Sequence, residues 1–161
     1  MKRISLILCL AFLTVLFCQA QVAPLKFNKN GEFKIVQFTD IHFQYHNPAS
    51  AIALKRINEV LDAERPDLIV FTGDVVYAPP ADTAMRAVLD CASSRKIPFV
   101  VTFGNHDNEQ GKTRAELYDI IRSMPYNIQP DRGSVESPDY VLTVKSSDGK
   151  KDASVLYCLD S

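Results

Sequence analysis

Two short apolar runs, Leu68–Phe71 and Phe99–Phe103, constrain the fold more than any other feature of the sequence. Both have the length of a β-strand, lie between turn-forming residues and lack the polar alternation of a strand with one wet face. Such runs are typical of strands buried on both faces, as in a parallel sheet. A further strand is predicted over Phe33–Thr39, which is rich in β-branched and aromatic residues.

Helical patterns separate these strands. Asn47-Pro48 is a favourable helix start, with Asn as N-cap and Pro in the first turn, and the predicted helix runs to about Glu64 before Pro66 ends it. The apolar residues at near-helical spacing in this stretch are Ile52, Leu54, Ile57, Val60 and Leu61. Strand, helix, strand, helix, strand is a βαβαβ unit of the α/β class, whose crossovers are right-handed.

Two more helices and a strand pair complete the predicted elements. The second helix opens at Pro79-Pro80, and one side of it carries Met85, Val88, Leu89 and Ala92. The third begins near Thr113, which has capping-box spacing to Glu116, and ends before Pro125. Tyr140–Val144 and Ala153–Tyr157 are strand-like and flank a polar turn, so they form a hairpin or an adjacent strand pair.

The N-terminus has the pattern of a secretory signal peptide. Lys2 and Arg3 precede an apolar run over Ile4–Phe17, and small residues then surround a cleavage position after Ala20. The run is shorter than the ~20 residues that span a bilayer, so we expect a secreted or periplasmic protein without a stable membrane anchor. A lipoprotein acylated at Cys18 is the alternative. Residues 21–32 would then be a lead-in to a domain over 33–161.

The charge and the cysteine content bear on possible nucleic-acid binding and on disulfide formation. The formal net charge is −1, and the basic residues are scattered, so no nucleic-acid-binding patch is evident. Nothing in the sequence indicates an oligomeric state. After signal cleavage only Cys91 and Cys158 would remain. Their apolar neighbours favour two buried thiols, with a disulfide as the alternative in an oxidising compartment.

Polar clusters follow each of the predicted parallel strands. They are Asp40-Ile41-His42, Gly73-Asp74 and Gly104-Asn105-His106-Asp107. The carboxyl ends of parallel strands meet at one edge of a sheet, so these residues should lie together. Carboxylate, imidazole and amide donors suit Mn, Fe or Zn better than thiolate-seeking metals. In Asp40-Ile41-His42 the two-residue period of the strand places both side chains on one face, so both can reach the same ion.

Taken together, the three clusters resemble the first three motifs of the calcineurin-like metallophosphoesterase superfamily. Pro66–Val76 also resembles the secreted, purple-acid-phosphatase-like members. The resemblance extends over about residues 33–161 and implies the N-terminal βαβαβ half of a four-layer α/β/β/α sandwich. It further implies hydrolysis of phosphate mono- or diesters by a water that two divalent or trivalent ions, Mn, Fe or Zn, activate.

The resemblance also implies a role for each motif residue. Asp40 and His42 would bind the first metal ion, and Asp74 would bridge the pair. Asn105 would bind the second ion. His106 would lie beside the phosphate and help the leaving oxygen depart, and Asp107 would orient the imidazole of His106.

The sequence departs from the family pattern after these motifs. The family adds a later histidine and a Gly-His-x-His motif, but no histidine follows His106, and His46 is interpreted as a solvated loop residue. We therefore expect a chain truncated at its C-terminus, with the remaining ligands beyond Ser161 and with weak activity. The alternatives are a secreted module that binds metal or phosphate without catalysis, and a half-domain that does not fold alone.

Overall fold

The computed structural model describes residues 22–160. The predicted signal peptide and its cleavage after Ala20 lie outside the described residues. The parallel strands are β1 (Ile35–Phe38), β2 (Leu68–Thr72) and β3 (Phe99–Thr102). The helices are α1 (Pro48–Glu64), α2 (Ala81–Ser93) and α3 (Arg114–Arg122), with a short 3₁₀ turn at Asp107–Glu109. Strands β4 (Tyr140–Lys145) and β5 (Asp152–Cys158) follow.

The parallel sheet has the strand order β1-β2-β3, with helices as the crossovers. Ile69 of β2 pairs with Val36 on one side and with Phe99 on the other. Helices α1, α2 and α3 all contribute to one apolar cluster with Ile69 and Phe71, so they cover the same face of the sheet. The predicted βαβαβ unit and the α/β fold class are confirmed.

The opposite face of the parallel sheet packs against the β4–β5 pair. Leu68 and Val100 form a second apolar cluster with Tyr140, Leu142 and other residues of the strand pair. Alternate residues of β2 therefore face the helices and the hairpin, which explains why both faces of the strand are apolar over Leu68–Phe71. The pairing of β4 with β5 is antiparallel, so of the two predicted arrangements the structure has the hairpin.

Helix α1 has the predicted bounds but a narrower buried face. The Asn47 side chain accepts a hydrogen bond from the backbone N–H of Ala49 (3.0 Å), as expected for an N-cap. Ile57 and Leu61, one turn apart, are buried, whereas the Ile52 side chain is 59% exposed. Five residues turn a helix by about 140° beyond one revolution, so Ile52 cannot face the sheet together with Ile57.

Helices α2 and α3 match their sequence patterns more fully. All four apolar residues predicted on one side of α2 are buried. At the start of α3, the Thr113 hydroxyl accepts from the N–H of Glu116 (3.2 Å), and the Glu116 carboxylate accepts from the N–H of Thr113 (2.9 Å). Both hydrogen bonds of a capping box are therefore present.

Cys91 and Cys158 are both buried and both free. The prediction of two buried thiols is confirmed, and the disulfide alternative is not. Burial raises the pKa of each thiol above its ordinary value. Within residues 22–160, no helix is long and apolar enough to cross a bilayer.

Removal of a side chain from the helix–sheet core should destabilise the protein markedly. Leu89 is fully buried in the apolar cluster, so we expect Leu89→Ala to lower the free energy of unfolding by about 2–5 kcal/mol. Ile52→Ala, in the exposed part of α1, is the control and should change it by less than about 0.5 kcal/mol. Urea denaturation followed by circular dichroism measures both; equal effects would contradict the packing described.

Candidate metal centre

The loops after β1 and β2 continue side by side beyond the sheet. The N–H of Asp40 donates to the carbonyl of Gly73 (3.1 Å), and the N–H of His42 donates to the carbonyl of Asp74 (2.9 Å). Asp40, His42 and Asp74 all have positive φ, of 52°, 48° and 50°. Left-handed backbone is uncommon, but Asp and His adopt it more readily than most residues. Backbone hydrogen bonds thus join the two loops beyond the end of the sheet.

The predicted strand alternation of Asp40 and His42 is wrong. Strand β1 ends at Phe38, and both residues follow it in left-handed backbone, so the two-residue period of a strand does not apply to them. His42 lies within the site described next. The exposed Asp40 carboxylate instead accepts a hydrogen bond from the Thr39 hydroxyl (2.5 Å).

Three side chains from the ends of the three strands meet at one point. Ligand atoms of His42, Asp74 and His106 all lie within 4.8 Å of one another. The Nε2 atom of His42 is 3.4 Å from Oδ2 of Asp74, and the rings of His42 and His106 have centroids 5.7 Å apart. Two imidazole nitrogens and a carboxylate oxygen are a donor set that fits Zn, Mn or Fe.

Two glycines allow the Asp74 carboxylate to lie against the loop after β3. A Cβ atom on Gly104 would come within 2.1 Å of Oδ1 of Asp74, and one on Gly73 within 2.8 Å of the Gly104 nitrogen. Gly73 also has a φ of 88°, which disfavours other residues. The same Oδ1 accepts a hydrogen bond from the N–H of His106 (3.0 Å). Asp74 is therefore fixed relative to His106 before any ion binds.

Asp107 is completely buried and holds together the loops that follow β2 and β3. Its Oδ1 atom accepts from the N–H groups of Val75 (2.8 Å) and Val76 (3.0 Å). Its Oδ2 atom accepts from those of Asp74 (3.0 Å) and Gly104 (2.9 Å). Burial raises the pKa of this carboxyl, outweighing the backbone hydrogen bonds that favour its ionised form. Asp107 thus has a structural function in the described residues.

The imidazole of His106 contacts Glu109, not Asp107. Its Nδ1 atom lies 2.7 Å from Oε2 of Glu109, and this hydrogen bond raises the pKa of His106. The predicted orientation of the imidazole by Asp107 is therefore replaced by contact with Glu109. The 3₁₀ turn over Asp107–Glu109 explains the difference, because it brings residue 109 back toward residue 106. The three-residue spacing of His106 and Glu109 was the available sequence signal.

Tyr77 is a second residue that the sequence analysis missed. Its exposed ring packs edge-on against both imidazoles, with centroids 5.1 Å from His42 and 4.9 Å from His106. The ring therefore restricts the orientation of both histidines. An aromatic residue in the loop three positions after Asp74 was the available signal.

The remaining predicted residues lie around this group. Asp40 is not among the three side chains that converge, and Asn105 is exposed in the loop after β3. His46 is exposed, and its ring packs on Tyr45 at a centroid distance of 4.3 Å, in accord with a loop residue. The structure thus brings together His42, Asp74 and His106, whereas Asp40 and Asn105 are exposed in the adjoining loops.

Loss of the Asp107 charge should destabilise the fold. In Asp107→Asn, an NH₂ group would replace one of the two oxygens and oppose two N–H donors. Since a hydrogen bond to a charged group contributes about 1.5–3 kcal/mol, we expect the free energy of unfolding to fall by at least about 3 kcal/mol. Asp119→Asn, which breaks an ion pair with Arg132 on the surface, should cost at most about 1 kcal/mol. Chemical denaturation of both variants tests this; equal losses would contradict it.

Comparison with known proteins identifies the family. The calcineurin-like phosphoesterase family model matches residues 33–152. The chain is 37% identical over 123 residues to probable inactive purple acid phosphatase 29 of Arabidopsis thaliana, covering 66% of this chain and 32% of the relative. It is 32% identical over 115 residues to phosphatase DCR2 of Saccharomyces cerevisiae, covering 61% of this chain and 20% of the relative.

A bacterial relative gives a shorter match. The chain is 31% identical over 85 residues to UDP-2,3-diacylglucosamine pyrophosphatase LpxG of Chlamydia trachomatis, covering 52% of this chain and 25% of the relative. The chain therefore spans a third or less of the length of these three relatives. The family match itself includes all three strand-end motifs and the parallel sheet that carries them. The chain belongs to the calcineurin-like phosphoesterase family.

Proposed function

We propose that the protein acts in metal-dependent hydrolysis of phosphate mono- or diesters, outside the cytoplasm as its N-terminal pattern indicates. The observation that carries the proposal is the convergence of His42, Asp74 and His106 from three strand ends within 4.8 Å. Membership of a phosphoesterase family accords with this donor set. One relative carries the name of a phosphatase, and another carries that of a pyrophosphatase, an enzyme that cleaves a phosphoanhydride bond instead of an ester.

Four residues of this chain would hold two metal ions. Asp40 and His42 would bind the first ion, and Asn105 would bind the second. Asp74 would bind both. Two ions of Mn, Fe or Zn, when bound, lower the pKa of a water and neutralise charge on the phosphate. Asp74 is well suited to bridge, because the two glycines and the N–H of His106 already fix its carboxylate.

His106 is the proposed proton donor to the leaving oxygen. Glu109 occupies Nδ1 of the imidazole, which leaves Nε2 to face the substrate. The same contact raises the pKa of His106 and so favours the protonated, donating form. Proton transfer by a positioned side chain typically contributes a factor of about 10²–10⁴ to the rate.

A second candidate is a module that binds metal or phosphate without catalysis. Its supporting observation is that one relative covering 66% of this chain carries the name of a probable inactive purple acid phosphatase. Metal binding without hydrolysis would favour this candidate, whereas hydrolysis that depends on the metal would favour the enzyme.

Removal of the Asp74 charge tests the metal centre directly. In Asp74→Asn the side chain keeps its size but loses the charge that attracts a cation, so we expect Co²⁺ affinity to fall more than the 10–100-fold typical of residues behind the ligands. Asp67→Asn, at the opposite end of β2, is the matched control and should leave affinity unchanged. Co²⁺ titration followed by visible absorption measures both.

A comparison of Asp74→Asn with the unaltered protein also separates the two candidate functions. Hydrolysis of bis-p-nitrophenyl and p-nitrophenyl phosphate with Mn²⁺ should be at least about tenfold faster for the unaltered protein than for Asp74→Asn. Co²⁺ binding with equal hydrolysis by both proteins would indicate the non-catalytic module. Equal Co²⁺ affinity in Asp74→Asn and the unaltered protein would refute the metal centre.

Substitution of His106 distinguishes a proton donor from a metal ligand. We expect His106→Asn to slow hydrolysis of phenyl phosphate by about 10²–10⁴-fold. Hydrolysis of p-nitrophenyl phosphate, whose leaving oxygen needs less protonation, should slow less. Co²⁺ affinity should change little. An equal loss on both substrates together with weaker Co²⁺ binding would instead make His106 a ligand.

A further inference from the structure

Strand β3 lies at an edge of the parallel sheet, so its outer backbone groups need partners from outside that sheet. At Val101, the Gln129 side chain accepts from the N–H (3.0 Å), and the Tyr140 hydroxyl donates to the carbonyl (3.0 Å). Side chains therefore close part of this edge. The same pattern continues beyond the strand, where the chain enters the metal centre.

Two residues from distant elements bind the backbone just before the motif. The N–H of Phe103 donates to Oδ1 of Asp160 (2.5 Å), a contact between residues 57 positions apart. The other oxygen of Asp160 accepts from Nη1 of Arg114 (2.7 Å), and Nη2 of Arg114 donates to the carbonyl of Gly104 (3.2 Å). The Asp160 side chain is only 6% exposed and that of Arg114 only 22% exposed.

Any shift of Gly104 would be transmitted to the metal ligands. Gly104 lies so close to Asp74 that a single added carbon would overlap its carboxylate, and it directly precedes Asn105 and His106. Its N–H is held by Asp107 and its carbonyl by Arg114. Asp160 therefore fixes, directly through Phe103 and indirectly through Arg114, the loop that carries the proposed ligand Asn105 and packs against Asp74.

We propose that Asp160 and Arg114 form a positioning pair for the metal centre, tying the end of β5 and the start of α3 to the loop after β3. The inference rests on the proposed function, because it assumes that the centre binds metal. Neither side chain is among the residues that converge on the ion. The pair acts by holding the loop in the geometry that suits the ligands.

The sign of two charge-changing variants separates positioning from simple electrostatics. Asp160→Asn removes the negative charge that faces Arg114, whereas Arg114→Gln removes the positive charge that faces Asp160. If only charge mattered, the first would weaken Co²⁺ binding and the second would strengthen it. Positioning predicts that both weaken Co²⁺ binding, by about 10–100-fold.

The control variants exclude a general loss of structure. Asp119→Asn removes another ion pair of the same helix, with Arg132, and should leave Co²⁺ affinity unchanged. Val144→Ala removes buried apolar surface from the hairpin and should lower the melting temperature without lowering Co²⁺ affinity. Unchanged affinity in both pair variants, or stronger binding by Arg114→Gln, would overturn the inference. Weaker binding by Val144→Ala to the same extent would also overturn it.

Hydrogen exchange tests the pair without metal. In Asp160→Ala the Phe103 amide loses a charged acceptor, so its exchange should accelerate by at least about tenfold. If that variant does not fold, Asp160→Asn, with a weaker acceptor, should give several-fold acceleration. Unchanged exchange would contradict the contact. Failure of the unaltered protein to bind Co²⁺ would instead count against the proposed function, with exchange alone then deciding whether Asp160 positions the loop.

Discussion

The buried carboxylate of Asp107 is the group on which the geometry of the candidate metal centre depends. It accepts four backbone hydrogen bonds from the turns that follow β2 and β3. Parallel strands bring those turns to one edge of the sheet, but nothing in the strands themselves fixes the distance between them. An acceptor shared by both turns supplies that distance, and it also satisfies N–H groups that would otherwise be buried without partners. The apolar core positions the strands, and Asp107 positions the loops.

Three of the seven non-glycine residues with positive φ among residues 22–160 are candidate ligands in the loops after β1 and β2. Asp40, His42 and Asp74 are all left-handed, a conformation that costs about 1–3 kcal/mol when a residue other than glycine is held in it. Hydrogen bonds between the loops after β1 and β2 hold these residues in place, and the Asp107 carboxylate also binds the N–H of Asp74. In this backbone the side chains of His42 and Asp74 reach the point at which they meet that of His106. The strained backbone thus accounts for a preformed donor set.

Local sequence patterns were sufficient for the elements but not for the contacts between their ends. The buried runs of β2 and β3, the Asn47 cap and the Thr113 capping box depend on residues close in the chain, and each has the predicted structure. The turn residues Asp40 and His42 do not have the predicted strand geometry, because their backbone is hydrogen-bonded to a loop some thirty positions away in the chain. Glu109 was missed for a related reason: the 3₁₀ turn that directs it to His106 is anchored by the buried Asp107.

Two carboxylates that are two positions apart have different functions because their environments differ. Asp107 is buried, and both of its carboxylate oxygens accept hydrogen bonds from backbone N–H groups. Neither oxygen is therefore available to the imidazole of His106. Glu109 is exposed and contacts Nδ1 of His106, whose pKa it raises. The structural function of Asp107 and the proposed proton-transfer function of His106 therefore involve different carboxylates of one turn. A change at Glu109 can adjust the basicity of His106 without loosening the loops, whereas a change at Asp107 cannot avoid doing so.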